Sequence, residues 1–370
     1  MRVGSLGEAL RVVMDRRGWS GSRLAREAGV SQPWVSMVLG GRRDPGMRRS
    51  AELLERAGWE LHVVPREEDP VKRQEFLRSA AGAGLVFLPS VKADPYTCPE
   101  HLDRVAARLV YHESQMGGGA VAREALRHVR RTVAAAEAAG AAWHAAASRL
   151  CREAALILHD VRDLRQAEAL ARTALAFART ADDPTRQVQA LDTLSLTAAH
   201  LPDGRGAEYA RRGLAMAGAE PAHRAVLAAR LGRTLAITRG DRGEAHRSLE
   251  HALELSAGEL GAEIVGNVGI GFSELGMAAR AEQYLAAAAE LTASSPFVHS
   301  LYLARQAKTA IRARQPEVAA ERMTELAATA PLVDSPRLRI HERHIIDGTR
   351  HWAGVALVRD ARDALREGAA

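Results

Sequence analysis

The stretch WSGSRLAREAGVSQPWVSMVLGGRRDP at residues 19–45 constrains the fold more than any other part of the chain. Ser20 can cap a short helix that carries Leu24 and Ala25, because a serine hydroxyl accepts a hydrogen bond from an otherwise unpaired amide of the first turn. Gly29 can adopt the left-handed conformation that ends such a helix, and Ser31 then caps a second one, closed by Gly40 and Gly41. Small Ala25 falls where two helices joined this way must touch, and Val35 is placed to fill the core. Residues 5–16 add a helix in front, with Ser5 as cap and Leu6, Ala9, Leu10 and Val13 on one face. Behind the pair, Met47–Arg56 reads as a helix with Ala51, Leu53 and Leu54 on its apolar side. The alternation in WELHVVP at 59–65 reads as a short extended segment, an edge strand or a dimer contact.

The Ala25–Gly29–Val35 spacing, with the basic GRRDP after it, resembles the helix-turn-helix of the phage-repressor (XRE, or Cro/repressor) family, whose second helix is the right size to lie in a DNA major groove. The resemblance implies a DNA-binding domain over residues 1–66 and double-stranded DNA as partner. Ser31-Gln32-Pro33-Trp34 would occupy the turn that reaches base edges, with Gln32 at the family's base-reading glutamine, able to pair with adenine N6 and N7. Ser36 and Met37 would contact a phosphate and a thymine methyl. Trp34 joins this DNA-facing set, with packing at a dimer interface or against sugar edges as its alternative. Arg42, Arg43 and Arg48, with Arg49, read as phosphate clamps. Charge agrees: residues 1–66 hold 12 arginines against 7 acidic residues, whereas the rest of the chain is nearly balanced. Two copies in a homodimer would read the halves of an inverted-repeat operator.

Residues 67–99 carry Pro70, Pro89, Pro95 and Pro99 and read as a linker containing one helix. Within it, KRQEFLRSAAGAGLVFLP at 72–89 imitates an export signal, but it follows a complete DNA-binding domain and is expected to dock an apolar face. No apolar stretch approaches the roughly 20 residues that span a bilayer, so no membrane role is expected. Cys98 and Cys151 are too few for a disulfide framework, and a reducing cytoplasm is the expected location.

From Glu100 onward the chain is nearly continuous amphipathic helix. The segment VGNVGIGFSELGMAARAEQYLAAAAEL at 265–291 places Val268, Gly269 and Phe272 in one helix and Ala281, Leu285 and Ala288 in the next. It resembles the tetratricopeptide (TPR) repeat, in which small residues let paired helices approach and a large one fills the groove between them. The marker alanine recurs at Ala167, Ala245, Ala281 and Ala319, with a degenerate copy near Gly206. The expected fold is therefore all-α, a helix-turn-helix domain followed by a TPR-like α-solenoid over 100–370, with two closing helices at 335–370 and a frayed end. The arginine-rich composition looks closest to actinobacterial members of the group.

No constellation argues for catalysis, a metal or a cofactor. His341, Glu342, His344 and His351 read as surface side chains, and GGGA at 117–120 as a turn. The TPR resemblance points instead to a groove lined by the first helix of each pair. There Asn267 matches a position that grips peptide backbone, flanked by Arg230 and Arg233 on one side and Arg305, Lys308 and Arg312 on the other. The alternative is that some of these cations pair with Glu244, Glu274 or Glu321 across helices. Two functions follow as expectations: a dimeric transcription regulator responsive to a peptide or small-molecule ligand, or a TPR adaptor or antitoxin-like protein that holds a protein partner and binds DNA for autoregulation.

Overall fold

Every regular element among the described residues is helical. The computed structural model describes residues 6–41, 94–136, 140–201, 204–216, 220–256 and 261–368, which fall in two units, Met1–Pro89 and Ser90–Ala370. The helix expected at Met47–Arg56, the segment at 59–65 and the helix at 72–89 lie outside the described residues.

The first unit contains α1 (Leu6–Arg17), α2 (Gly21–Ala28) and α3 (Gln32–Leu39). Its boundaries are set by the signals in the sequence. Ser20 Oγ accepts from the Arg23 amide at 3.3 Å, Ser31 Oγ from the Trp34 amide at 3.4 Å, and Gly29 ends α2 with φ of 66°. A left-handed residue here suits glycine because a side chain would be strained. Leu10, Val13, Leu24, Ala25, Ala28, Trp34, Val35 and Val38 are buried together. Each large apolar side chain among them contributes roughly 1.5–3 kcal/mol by leaving water, which three short helices could not gain alone.

The second unit opens with a 3-10 turn, Pro95–Thr97, followed by α4 (Pro99–Met116) and α5 (Gly118–Ala134). Tyr96 is buried, and its carbonyl accepts from Trp143 Nε1 at 2.7 Å. Folded structure therefore begins before the expected linker ends, because Pro95 and Pro99 occupy first-turn positions of helices, where a missing N–H costs nothing. Five helix pairs follow: α6 (Ala141–Asp160) with α7 (Leu164–Thr180), α8 (Pro184–Ala198) with α9 (Gly206–Leu214), α10 (Pro221–Ile237) with α11 (Arg242–Leu255), α12 (Ala262–Glu274) with α13 (Ala278–Leu291), and α14 (Pro296–Arg312) with α15 (Pro316–Thr329). Then come α16 (Pro336–Gly348) and α17 (Ala356–Gly368), with Val358, Ala361 and Leu365 buried.

Ala167, Ala245, Ala281 and Ala319 all lie in the second helix of a pair and are fully buried, as are Val268, Phe272, Leu285 and Ala288. A Cβ on Gly269 would come within 2.8 Å of Leu285 Cγ, so the α12–α13 approach depends on its absence. The turns inside all five pairs hold a left-handed residue, at Arg162, Gly204, Arg239, Gly276 and Arg314, and only two of these are glycine. Tertiary packing thus imposes the turn on residues that do not favour it.

The two ends of the array meet. Gln115 Nε2 donates to the Ser294 carbonyl at 3.2 Å, Ser295 Oγ to the Ser114 carbonyl at 3.0 Å, and the Asp334 amide to the Met116 carbonyl at 2.7 Å. The Gly119 amide returns a bond to the Asp334 carbonyl at 2.8 Å. Gly117, Gly118 and Gly119 form this seam. An added Cβ would lie 2.7 Å from the Asp334 carbonyl at the first and 2.8 Å from Asp160 Oδ2 at the second, and would collide with the Asp334 carboxylate at the third. Buried Asp160 completes the closure by accepting from the Gly118 amide at 2.9 Å and from Ser335 Oγ at 2.6 Å.

Candidate functional site

In the first unit, α3 presents two faces. Ser31, Gln32, Ser36 and Met37 are exposed, and Gln32 and Ser36, four residues apart, lie on one stripe. Trp34, at 7 % exposure, packs inward with Val35 and Val38. This corrects its place in the DNA-facing set: positions 34, 35 and 38 form the stripe that a helix packed on one side must bury, and a buried indole does not reach base edges. Arg42, Arg43 and Arg48 lie outside the described residues. A basic surface is present without them, since Arg11, Arg16, Arg17, Arg23 and Arg26 are exposed, against exposed Asp15 and Glu27. The guanidinium groups of Arg17 and Arg23 sit 5.2 and 5.6 Å from the Trp19 ring centre, which holds them near the start of α2.

In the second unit, the six cavity residues expected from sequence separate into two groups. Arg230 is buried and belongs to a network that reaches the surface at Glu263. It donates to Asp192 Oδ1 and Oδ2 at 2.7 and 3.1 Å, to Glu263 Oε1 at 2.9 Å and to Asn267 Oδ1 at 2.9 Å. Burial works to lower its pKa, and the Asp192 carboxylate more than reverses that. Arg233 Nη1 donates to the same Asn267 oxygen at 2.7 Å, while Asn267 Nδ2 donates to the Glu263 carbonyl at 2.8 Å. The expected grip of Asn267 on a peptide backbone is therefore corrected. Its carbonyl already serves two guanidiniums and it is buried, because α10 presents two arginines that need an acceptor just where α12 carries this amide. Arg312 donates to both Glu274 carboxylate oxygens at 3.1 and 3.0 Å, and Arg305 lies 3.9 Å from the same group. This is the interhelical pairing that the sequence left open.

Arg233, Arg305 and Lys308 line a cavity of about 230 Å³. Its wall is built from the first helices of successive pairs and the segments that follow them. His159 lies near the end of α6 and Arg162 in the turn after it, His200 follows α8, Glu274 ends α12, and α16 supplies Arg337, His341 and His344. Five cations thus share the cavity with one carboxylate, and Arg312 already holds that carboxylate.

The electrostatics follow from burial among cations. Burial, with Arg230, Arg305 and Arg337 adding repulsion, works strongly against the charge on Arg233. Burial pulls Arg305 down to about 10, partly offset by Glu274, and Lys308 down to about 8. The same cause lowers the histidines: His200 to about 3, His159 and His341 well below the usual imidazole range, and His344 below it as well. They are neutral at pH 7 and offer ring nitrogens without adding charge.

Sequence reasoning missed His159, Arg162, His200 and Arg337, which come from three separate segments with no common motif. The nearest signal was the cluster at 341–344, read there as surface side chains. His341 is instead 7 % exposed and faces the cavity with His344, because α16 packs against α14. Among the described residues no group of three or more His, Cys, Asp or Glu side chains converges as a metal site, and no helix is long and apolar enough to cross a membrane. Both cysteines are free; Cys151 is buried in the core, which raises its thiol to about 12 and leaves it unreactive. No protein-family model matches the chain, and no curated protein matches it either.

Proposed function

We propose that the chain is a sequence-specific DNA-binding transcription regulator of cytoplasmic, homodimeric type, with an XRE-like helix-turn-helix domain and a TPR-like repeat domain that responds to a ligand. The observation that carries this reading is the division of α3, whose buried Trp34, Val35 and Val38 anchor it while Ser31, Gln32, Ser36 and Met37 stay exposed at and beyond its N-terminal turn. A helix held from one side with a polar N-terminal turn can enter a major groove and pair with base edges. Exposed Arg11, which bonds the Leu39 carbonyl at the end of α3, and the exposed arginines of α1 and α2 can supply phosphate contacts of the kind that position such a helix. The second unit brings a cation-rich cavity to the same chain, and a ligand that favours one arrangement by 1–3 kcal/mol changes operator affinity by about 5–150-fold.

Sequencing the DNA that co-precipitates with the protein identifies the operator. On that operator, Gln32→Ala is expected to weaken binding by about 1–3 kcal/mol at one base position and to leave random DNA unaffected. Equal loss on operator and random DNA overturns the assignment of Gln32. A stoichiometric protein partner co-purifying from the host, with no operator recovered, favours the adaptor instead.

A further inference from the structure

We propose that the cavity lined by Arg233, Arg305, Lys308 and Arg337 is a site for a compact phosphate-bearing anion, a phosphomonoester or diphosphate of metabolite size that carries a small apolar group. The regulatory meaning of this site rests on the reading of the chain as a ligand-responsive regulator; the site itself rests on the charges and shape of the cavity.

Among the described residues no carboxylate lies within ion-pair distance of Arg233 or Lys308, and the oxygen that Arg233 does reach, Asn267 Oδ1, is shared with Arg230. Arg337 stands 3.2 Å from Asp160, but that carboxylate already accepts from the Gly118 amide and the Ser335 hydroxyl. A guanidinium does not give up its proton inside a protein, so Arg233 remains charged in a buried place that disfavours charge. Such a group gains from any anion that enters.

The number of cations selects among anions. A peptide carboxylate brings one charge, whereas a phosphomonoester brings nearly two and three acceptor oxygens, and planar guanidiniums match its geometry. Arg233, Arg305 and Arg337 reach the cavity from three different helices, α10, α14 and α16. The histidines add neutral donors. His159 Nδ1 accepts from Arg337 Nη1 at 3.2 Å, which places its proton on Nε2, and Nε2 has no hydrogen-bond partner among the described residues. Nδ1 of buried His341 also has no hydrogen-bond partner among the described residues.

Shape selects further. The cavity itself is smaller than the roughly 300–1,000 Å³ that hold drug-sized ligands; a larger one of about 510 Å³ shares Ile237 and Glu274 with it but brings none of Arg233, Arg305, Lys308 or Arg337, so the cation-lined part suits a small anionic group better than an extended peptide. A second cavity of about 140 Å³ shares Arg233, Arg305, Arg337 and His341 with the cation-lined one and is otherwise walled by Ile270, Val298, Leu301 and Tyr302. The shared cations suit the phosphate, and the second wall suits an apolar substituent.

The test is calorimetric titration of the full chain with pyrophosphate, phenyl phosphate and acetyl-trialanine at fixed ionic strength. Pyrophosphate and phenyl phosphate are expected to bind once per chain and to raise Tm, with phenyl phosphate the tightest of the three. Arg233→Met is expected to weaken both phosphates at least tenfold while its own Tm, without anion, equals or exceeds that of the wild type, because a buried uncompensated charge has gone. A purely structural arginine would instead lower Tm on removal. If Arg233→Met fails to fold, Lys308→Met carries the same affinity comparison. Absence of binding at millimolar phosphate, unchanged affinity in these variants, or tighter binding of acetyl-trialanine overturns the proposal. Operator affinity measured on the same samples judges the regulatory reading separately: anion binding that leaves it unchanged upholds the site and refutes the coupling, and operator binding without anion binding refutes the site alone.

Discussion

Removing the Asp192 carboxylate is the most direct perturbation of the second unit's interior. Arg230 and Asp192 are each nearly inaccessible and meet through two bonds of 2.7 and 3.1 Å, so the Leu variant of Asp192 leaves a guanidinium that water cannot reach. Breaking a buried pair from one side typically costs about 3–5 kcal/mol. Glu263, 2.9 Å from Arg230 and half-exposed, still offers partial compensation and places the expectation near 3 kcal/mol, at the low end of that range. At roughly 2 °C per kcal/mol for a unit of this size, Asp192→Leu lowers Tm by about 6 °C. Adding Arg230→Met removes the stranded charge, so the double variant is expected to recover about 2–3 kcal/mol relative to the sum of the single changes. Thermal and urea unfolding followed by circular dichroism on the four proteins closes the cycle. A loss below about 1 kcal/mol for Asp192→Leu, or strict additivity in the double variant, refutes the argument that this pair is buried and mutually dependent.

The seam and the buried histidines give two further expectations. Gly118→Ala puts a Cβ 2.8 Å from both Asp160 Oδ2 and the Ile157 carbonyl, so it is expected to cost about 1–3 kcal/mol and to enlarge the radius of gyration in solution scattering. Gly140→Ala meets no atom within 4 Å and serves as the near-neutral control; equal behaviour of the two variants contradicts the seam. The His200 pKa is depressed from 6.5 to about 3, so its contribution to stability is complete above pH 6.5 and is lost as pH falls toward 3. At pH 5 this amounts to about 2 kcal/mol. Glu113, raised to about 8 by burial, works in the opposite direction, with stability lost as pH rises from 4.5 through 8. It does so equally in wild type and His200→Gln, so a smaller loss between pH 7.5 and 5 in that variant isolates the histidine. Identical pH dependence of urea unfolding in the two proteins counts against it.

Local signals were legible in the sequence because they act over a few residues. The hydroxyls of Ser20 and Ser31 cap the helices that they precede, Gly29 takes the left-handed turn, and the marker alanines are buried in the second helices of four of the five pairs. Capping and helical periodicity depend only on neighbours within about two turns, so composition and spacing sufficed for the helices of the described residues and their recurring pairing. Which face of a helix meets what is a different kind of information. Trp34 turned inward because the core of α1–α3 had a place for it, and Asn267 lost its expected role because Arg230 and Arg233, on α10, needed its oxygen. Arg162, Arg239 and Arg314 adopt left-handed turns that no propensity favours, since the packed helices on either side fix the turn. The cavity depended most on tertiary structure. His159, His200, Arg233, Arg305 and Arg337 come from separate segments, and the Gly117–Gly119 seam against Asp334 joins the two ends of the array around them. Only packing brings side chains so distant in sequence to one wall, and only their burial together turns ordinary surface cations into an anion-attracting site.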